Sequence, residues 1–159
     1  MTETTDMKKF QIAGKTKTVQ GSILNPENAG LCFVLNVANL AGKTDAPIYN
    51  VFQKKWNKVK QEARGWYTTK TGAYKAGAVQ TVAVQSNVWV LNLLCQDEEL
   101  KTDVAGLEKS LKEVCKMAKY ENATVHVSSL LVDAVPEMVE LLKKHILTNG
   151  VSVYFYNKD

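Results

Sequence analysis

Residues 123–140 read Ala-Thr-Val-His-Val-Ser-Ser-Leu-Leu-Val-Asp-Ala-Val-Pro-Glu-Met-Val-Glu. The apolar and β-branched residues up to Leu131 predict a buried strand, which a short loop and then a helix follow. Asp133 is predicted to cap that helix, and Pro136 is expected in its first turn, where the missing N–H costs nothing. In open α/β sheets, ligands bind where a strand's C-terminal end leads into a helix. The stretch is therefore predicted to form one wall of a small-molecule site.

A second predicted strand is buried on both faces. Leu31–Ala38 is almost continuously apolar, which is typical of a strand in a parallel sheet. Ahead of it, Phe10–Ile23 alternates irregularly between apolar and polar residues and contains two glycines. That segment predicts two strands or one long bent strand.

A helix is predicted to follow the buried strand. Asp45 and Pro47 form a helix start signal of the kind just described, and apolar residues recur at helical spacing over Ile48–Val59. Gly65–Gly77 is then predicted to be a long irregular loop. Such loops are more often functional or mobile than merely connecting.

The second half of the chain continues with strands and helices. Ala78–Val84 and Val88–Leu94 predict a hairpin, and Leu107–Ala118 predicts an amphipathic helix. After residues 123–140, Asn149-Gly150 predicts a helix C-terminus and Val151–Tyr156 a final strand.

The predicted order of elements is β β α β β α β α β. Strands that alternate with helices indicate a single three-layer α/β domain, in which helices flank a mixed, mostly parallel sheet. We expect this domain to span residues 9–159, after a flexible N-terminus of residues 1–8.

Composition and cysteine usage indicate an ordinary soluble domain. The chain has 159 residues, of which 45% are hydrophobic and 23% charged. No apolar run approaches the roughly 18 residues that cross a bilayer, and a signal peptide pattern is absent. Cys32, Cys95 and Cys115 are scattered, so we expect reduced core thiols rather than disulfides or a zinc site. The expected location is the cytoplasm, without membrane contact.

The sequence lacks the motifs of common catalytic and cofactor sites. The nucleophile elbow, the Walker A loop and the dinucleotide fingerprint are all missing. Neither His126 nor His145 has a second metal-type ligand near it in sequence, so we predict no metal site and no cofactor. A Ser128–His126–Asp133 triad is rejected, because i and i+2 neighbours in one strand lie too far apart for a nucleophile–base hydrogen bond.

The formal net charge of +4 leaves room for an anionic partner. Tyr67, Lys70, Tyr74 and Lys75 interleave aromatic and basic residues, a pattern that suits single-stranded nucleic acid. The alternative for the lysines is a solvated face, and the alternative for the aromatic residues is packing over the sheet edge.

Over about residues 9 to 157 the chain resembles the macro domain family, an ADP-ribose-binding α/β fold. The resemblance is nearest to the ADP-ribose-1″-phosphate phosphatases and the deacylases that remove ADP-ribose from acidic residues. Three motifs correspond to the family's Gly-Asp-Ile, Val-Asn-x-x-Asn and Asn-Leu-x-Thr-Gln: Gly21–Ile23, Leu35–Asn39 and Val90–Gln96. Three further segments are also similar: Ile48–Trp56, Gly106–Leu111 and Val151–Tyr154.

The resemblance implies that the adenine end of the ligand meets the first of these motifs. Ser22 and Ile23 would lie beside adenine, at a place where an aspartate usually accepts from the exocyclic amine. Tyr154 or Phe155 would stack on the base.

The resemblance also implies two loops around the rest of the ligand. In loop one, residues 39–45, Asn39 would hydrogen-bond the distal ribose and Gly42 would approach the diphosphate. In loop two, residues 128–133, Ser128 and Ser129 would contribute contacts, and Asp133 falls near the acidic residue that is catalytic in the deacylases.

Both loops depart from the family's glycine-rich pattern. Loop one contains Asp45-Ala46-Pro47 at its end, and loop two contains Leu130-Leu131-Val132. Glycines allow a backbone to approach phosphate closely and to form an anion nest, whereas proline lacks a donor and branched side chains fill the space. These substitutions predict a degraded diphosphate site.

Two functional hypotheses follow, and the sequence leaves open whether the protein is an enzyme. One is a protein that binds ADP-ribose or a related nucleotide, either without catalysis or with hydrolysis of ADP-ribose-1″-phosphate or protein-linked ADP-ribose, in which Asp133 would act as general base or position the water. The other is a degenerate macro-fold protein that acts through protein or nucleic-acid contact. Asp133 as a helix cap and Asn39 as a loop cap are the structural alternatives, and an unrelated flavodoxin-sized α/β enzyme is a third possibility.

Overall fold

The computed structural model describes residues 14–70 and 74–159, and within these ranges six strands form one sheet. The strands are β1 (Thr16–Val19), β2 (Cys32–Asn39), β3 (Val79–Gln85), β4 (Val88–Gln96), β5 (Thr124–Ser128) and β6 (Val153–Tyr156). Their spatial order is β1-β6-β5-β2-β4-β3. Among the strand pairs of the described residues only β3–β4 is antiparallel, which confirms the predicted mixed, mostly parallel sheet. The predicted flexible residues 1–8 and the start of the first predicted strand lie outside the described residues.

Helices connect the parallel strands, as the alternating pattern predicts. They are α1 (Pro47–Gln53), α2 (Asn57–Thr69), α3 (Val104–Glu121), α4 (Ser129–Ala134) and α5 (Met138–His145), with a 3₁₀ turn at Leu147–Asn149. The predicted hairpin is β3–β4, and the predicted amphipathic helix is α3. All three cysteines are buried and free, as expected for core thiols.

The prediction of one helix after β2 is wrong in two respects. Asp45 does not cap it, since the N-cap is Ala46 and no side chain bonds to the first turn, although Pro47 does occupy the first turn. The helical pattern over Ile48–Val59 also belongs to two helices, because the chain breaks between α1 and α2 at residues 54–56.

The predicted irregular loop at Gly65–Gly77 is also wrong over its first five residues. Helix α2 continues through Thr69 and ends where Lys70 adopts a left-handed conformation. Val59 and Ala63 are buried on its inner side, and an alanine side chain at Gly65 would meet no atom within 4 Å. The exposed glycine therefore marks a tolerated position in a helix rather than a break.

The opening stretch is a shorter strand and an earlier helix than predicted. Strand β5 ends at Ser128, whose Oγ accepts a 3.1 Å hydrogen bond from the backbone N–H of Leu130 and so caps α4. Leu131, predicted to lie in the strand, is buried on this helix. Asp133 lies in the last turn of α4, so its prediction as an N-cap is wrong. Pro136 lies in the turn before α5 rather than in a first helical turn.

Candidate functional site

A hollow of about 240 Å³ lies at the C-terminal ends of three neighbouring strands. The register sets Ser128, Tyr156 and Val19 side by side at the ends of β5, β6 and β1, so the segments that follow them meet. The hollow is lined by Thr18, Ser129, Val132, Asp133, Val139, Phe155, Tyr156 and Asn157. The structure thus brings together three residues that the sequence analysis singled out, namely Ser129, Asp133 and Phe155.

Residues of α4 form one side of this hollow. Ser129 and Asp133 are four residues apart on the same helix, so their side chains share a face. Asp133 is exposed to solvent, and Ser129 is half-buried. Ser128, by contrast, is fully buried and its hydroxyl is engaged in the cap, so it does not line the hollow.

The two candidate stacking residues point in opposite directions. Phe155 lines the hollow, while Tyr154 lies on the other face of β6, as alternating strand side chains require. The Tyr154 ring stacks on the ring of His126 with centroids 4.6 Å apart and lines a different hollow with Lys15 and Lys17. Of the two, only Phe155 can contribute to this site.

Ser22 and Ile23 are joined to a carboxylate that the sequence analysis did not identify. The hydroxyl of Ser22 donates to Oδ1 of Asp159 at 2.6 Å, and the backbone N–H of Ile23 lies 3.2 Å from Oδ2. The N–H of Lys158 donates to the carbonyl of Gly21 at 3.1 Å, which aligns the two segments. Asp159 is 137 residues from Ser22, and no local spacing signals such a contact.

The side chain of Asn39 bonds to the backbone of its own loop. Its side-chain oxygen accepts from the N–H of Lys43, and its side-chain amide donates to the carbonyl of Lys43, both at 3.0 Å. Asn39 is 5% exposed, which places it under the loop rather than on its rim. The loop-capping alternative therefore accounts for both ends of this amide.

Gly42 is required by the packing of loop one. Its φ of +69° favours glycine, and a Cβ atom there would lie 2.3 Å from the ring of Tyr67. Tyr67 comes from α2, so the loop is pressed against that helix. The close approach at Gly42 is thus made by an aromatic ring of the protein itself.

The aromatic residues predicted to serve single-stranded nucleic acid are packed together against loop one. Tyr74 meets Trp66 and Tyr67 edge-on, with centroids 4.8 and 5.6 Å apart, and its hydroxyl donates to the carbonyl of Asn39 at 2.6 Å. Burial raises the pKa of Tyr74 to about 12, so the hydroxyl stays protonated at neutral pH. This arrangement favours the packing alternative for Tyr67 and Tyr74.

His126 belongs to the core rather than to a catalytic site. The hydroxyl of Tyr156 accepts from the N–H of Glu27 at 2.8 Å, and its oxygen lies 2.7 Å from Nδ1 of His126. The Nε2 atom of His126 lies 2.7 Å from Thr124 Oγ1, so each ring nitrogen has a hydroxyl partner. Burial lowers the pKa of His126 to about 3, so the ring is neutral. Both nitrogens are occupied, which agrees with the rejection of a triad.

The described residues contain neither a metal-binding cluster nor a membrane-spanning helix. Over residues 14–70 and 74–159, no three His, Cys, Asp or Glu side chains are grouped so as to hold a metal ion. Within the same ranges, no helix has the length and apolar character that crossing a bilayer demands.

Comparison with known proteins identifies the fold. No family model and no curated protein matches the sequence. Among solved structures, a macrodomain protein from Streptomyces coelicolor matches with a TM-score of 0.81 and 21% identity, over 91% of this chain and 100% of the other. A protein of unknown function from Bacteroides thetaiotaomicron matches with a TM-score of 0.80 and 23% identity, over 92% and 99% of the two chains.

A third similar structure contains a ligand. DarTG from Thermosipho africanus, solved in complex with ADP-ribose, matches with a TM-score of 0.67 and 13% identity, over 91% of this chain and 42% of the other. These identities are low, so they establish the architecture and not the subgroup. The chain has the macrodomain fold.

Proposed function

We propose that this protein binds ADP-ribose, or a closely related nucleotide, in the hollow at the C-terminal ends of β1, β5 and β6. The observation that carries the proposal is the convergence of Ser129, Asp133 and Phe155 on that hollow. The position agrees with the general rule for ligands in open α/β sheets. The macrodomain fold and the ADP-ribose complex of a structurally similar protein support the choice of ligand.

The proposed adenine contacts are a ring that lines the hollow and a carboxylate that does not itself line it. In this proposal the half-buried Phe155 stacks on the base. The resemblance expects a carboxylate at position 22, where this chain has serine. Asp159, held by Ser22 and Ile23, supplies that carboxylate from the other end of the sequence. Its remaining lone pairs are available to accept from the exocyclic amine.

The residues expected to contact the diphosphate have few free hydrogen-bond donors. The amide of Asn39 is engaged by Lys43, and the N–H of Leu130 is engaged by Ser128. Residues 129–134 form helix α4 rather than the glycine-rich loop two that the resemblance implies, so these N–H groups do not form a nest of that kind. We therefore expect micromolar rather than nanomolar affinity.

We further propose that Asp133 acts on the bound ligand. It is the exposed carboxylate on the rim of the hollow, one helical turn from Ser129. As general base it would take a proton from a water that attacks ADP-ribose-1″-phosphate or a protein-linked ADP-ribose ester. An Asp133→Asn variant that keeps ADP-ribose affinity but loses hydrolysis would support this role. Equal hydrolysis by the variant would contradict it.

A second candidate function is a macrodomain-fold protein without catalysis that acts through protein or nucleic-acid contact. The hydrogen bonds within loop one favour this alternative. The side chain of Asn39 and the hydroxyl of Tyr74 both bond to the backbone of the loop, so they are not free to bond a ligand. In this alternative the fold is retained while the ligand contacts have been lost.

Calorimetric titration with ADP-ribose separates the two candidates. The first predicts micromolar binding that Asn39→Ala weakens at least tenfold, because loop one loses the bonds that shape it. Asn87→Ala, in the exposed β3–β4 turn, is the matched control and should bind like the natural protein. Absence of heat at near-millimolar ADP-ribose would contradict the first candidate. Binding that is lost only in the Asn39 variant would contradict the second.

A further inference from the structure

Three adjoining hollows form a groove at the opposite end of the sheet from the proposed ADP-ribose site. The first, of about 410 Å³, lies between α3 and the end of α5, and the second, of about 380 Å³, lies at the starts of β5 and β6. The third, of about 330 Å³, lies along β1 and β6. Lys119 lines the first and second hollows and Ser152 lines the second and third, so neighbouring hollows adjoin at a shared residue.

The groove is basic throughout. Five lysines line it: Lys15, Lys17, Lys112, Lys116 and Lys119. None of the described residues that line the three hollows is acidic. We call these five lysines and the three hollows the basic groove.

The lysines of α3 form a row with free charges. Lys112, Lys116 and Lys119 follow at intervals of four and three residues, so they share one face of the helix. All three are exposed, and over residues 14–70 and 74–159 none of them makes an ion pair. The nearby carboxylate of Glu108 is bonded instead to Lys144 and His145, each at 3.0 Å.

The other end of the groove has one neutralised and one free lysine. Lys17 pairs with Glu27 at 2.7 Å, whereas Lys15 makes no ion pair with any residue that the structure describes. The backbone N–H of Lys15 donates to Ser152, which fixes this edge strand beside the central hollow. Four free cations therefore line the groove.

Two aromatic residues lie near the lysines of the basic groove: Tyr154 lines it, whereas Tyr120 follows Lys119 in α3 and lines none of the three hollows. Tyr120 follows Lys116 by one helical turn. Its side chain is 87% exposed, compared with 46% for Val104, the next most exposed large hydrophobic residue in the described ranges. Tyr154 lines the third hollow, with the ammonium of Lys17 6.0 Å from its ring centroid. At this exposure the Tyr120 ring is open to solvent, so its faces are accessible to a ligand.

We propose that the basic groove binds single-stranded nucleic acid. Lysines along a groove neutralise successive phosphates, and aromatic rings offer faces on which unpaired bases stack. The groove turns from α3 around the end of the sheet to β1, a path that a flexible single strand can follow more readily than a stiff duplex. The neutral polar lining between the lysines, from Asn122, Thr124 and Ser152, suits sugar and base edges.

The proposal does not depend on ADP-ribose binding. The groove lies at the starts of β5 and β6, while the ADP-ribose hollow lies at their C-terminal ends. A protein that failed to bind ADP-ribose would therefore still bind nucleic acid here. The two ligands should also bind at the same time.

The test is fluorescence anisotropy with a labelled 20-nucleotide oligo(dT), measured at several salt concentrations. The natural protein should bind, with affinity that falls as salt rises. Lys112→Glu/Lys116→Glu/Lys119→Glu should weaken binding about tenfold or more at low salt and should lower the slope of log K against log salt by about 2. Tyr120→Ala should weaken binding about fivefold or more, and Tyr120→Phe should not.

A control variant with the same change of net charge separates the effect of the groove lysines from that of net charge. Lys54→Glu/Lys58→Glu/Lys101→Glu changes the net charge equally at three exposed sites elsewhere and should bind nearly as the natural protein does. Equal losses in the two triple variants would overturn the proposal, because net charge alone would then explain binding. Equal affinity for a duplex of the same length, or displacement of the oligonucleotide by saturating ADP-ribose, would also overturn it.

Discussion

The hydroxyl of Ser22 donates a 2.6 Å hydrogen bond to the carboxylate of Asp159, although the two residues are 137 positions apart. The same carboxylate lies within hydrogen-bonding distance of the Ile23 N–H. A small hydroxyl and a distant carboxylate together fill a place where one local aspartate would be expected. We infer that Asp159 reads the base of the nucleotide.

Asp159→Asn should therefore reduce discrimination between bases. The amide keeps the contact with Ser22 but accepts from an exocyclic amine less strongly than a carboxylate does. We expect ADP-ribose affinity to fall about fivefold to tenfold, with little change for inosine diphosphate ribose, which lacks that amine. Calorimetry with both ligands measures this, and an equal fall for both would contradict the assignment.

Gly42 and Gly65 should respond oppositely to alanine. Gly42→Ala forces a side chain into a left-handed position and into the Tyr67 ring, so we expect a loss of stability of about 1–3 kcal/mol. Gly65 lies in α2 with open space around it, so Gly65→Ala should stabilise the protein by about 0.5–1 kcal/mol. Urea unfolding measures both changes.

The Gly42 explanation has a further check. In a Tyr67→Ala background the clash is removed, so Gly42→Ala should cost only the penalty of the left-handed backbone. An undiminished cost in that background would show that Tyr67 is not the obstacle.

Stability should fall as the solution becomes moderately acidic, because His126 is buried and neutral. Its pKa is about 3 in the folded state, and 6.5 is its ordinary value. Between these values the unfolded chain binds a proton that the folded chain does not, so the free energy of unfolding decreases as pH falls below about 6.5. From pH 7 to pH 5 we expect a loss of roughly 2 kcal/mol, as the upper bound for one group.

Replacement of the histidine tests the origin of this pH dependence. His126→Gln should lower stability at pH 7 but flatten its decline toward pH 5. His145→Gln alters the other histidine, which contacts Glu108, and should leave the decline in place. An unchanged decline in the His126 variant would assign it to other groups.

The sequence predicts the architecture well because its signals are regional. Strands β2 and β4 are continuously apolar, and helix α3 has a regular helical periodicity. Because each pattern extends over many residues, one misleading residue does not change the predicted element. The predicted start of a helix is wrong where two possible N-cap residues lie close together in the sequence. Both Ser128 and Asp133 are good caps, and the structure uses Ser128 because the earlier start buries Leu131.

The candidate site was predictable only in part. Ser129, Asp133 and Phe155 were implied by the resemblance to the macro domain family, and the structure places all three around one hollow. Asp159 was missed because its contact with Ser22 joins distant parts of the chain. The role of Tyr67 beside Gly42 was missed because a glycine that receives a protein ring looks the same in sequence as one that receives a phosphate.

The most direct test of the central claim is a map of ADP-ribose binding by ¹H–¹⁵N NMR. The account predicts saturable shifts at micromolar to submillimolar ligand, largest for the amides of residues 129–133 and 155–157 and smaller for Ser22 and Ile23. The amides around Lys112 and Lys116 should not move. Unchanged spectra at near-millimolar ADP-ribose, or shifts confined to the basic groove, would contradict the claim.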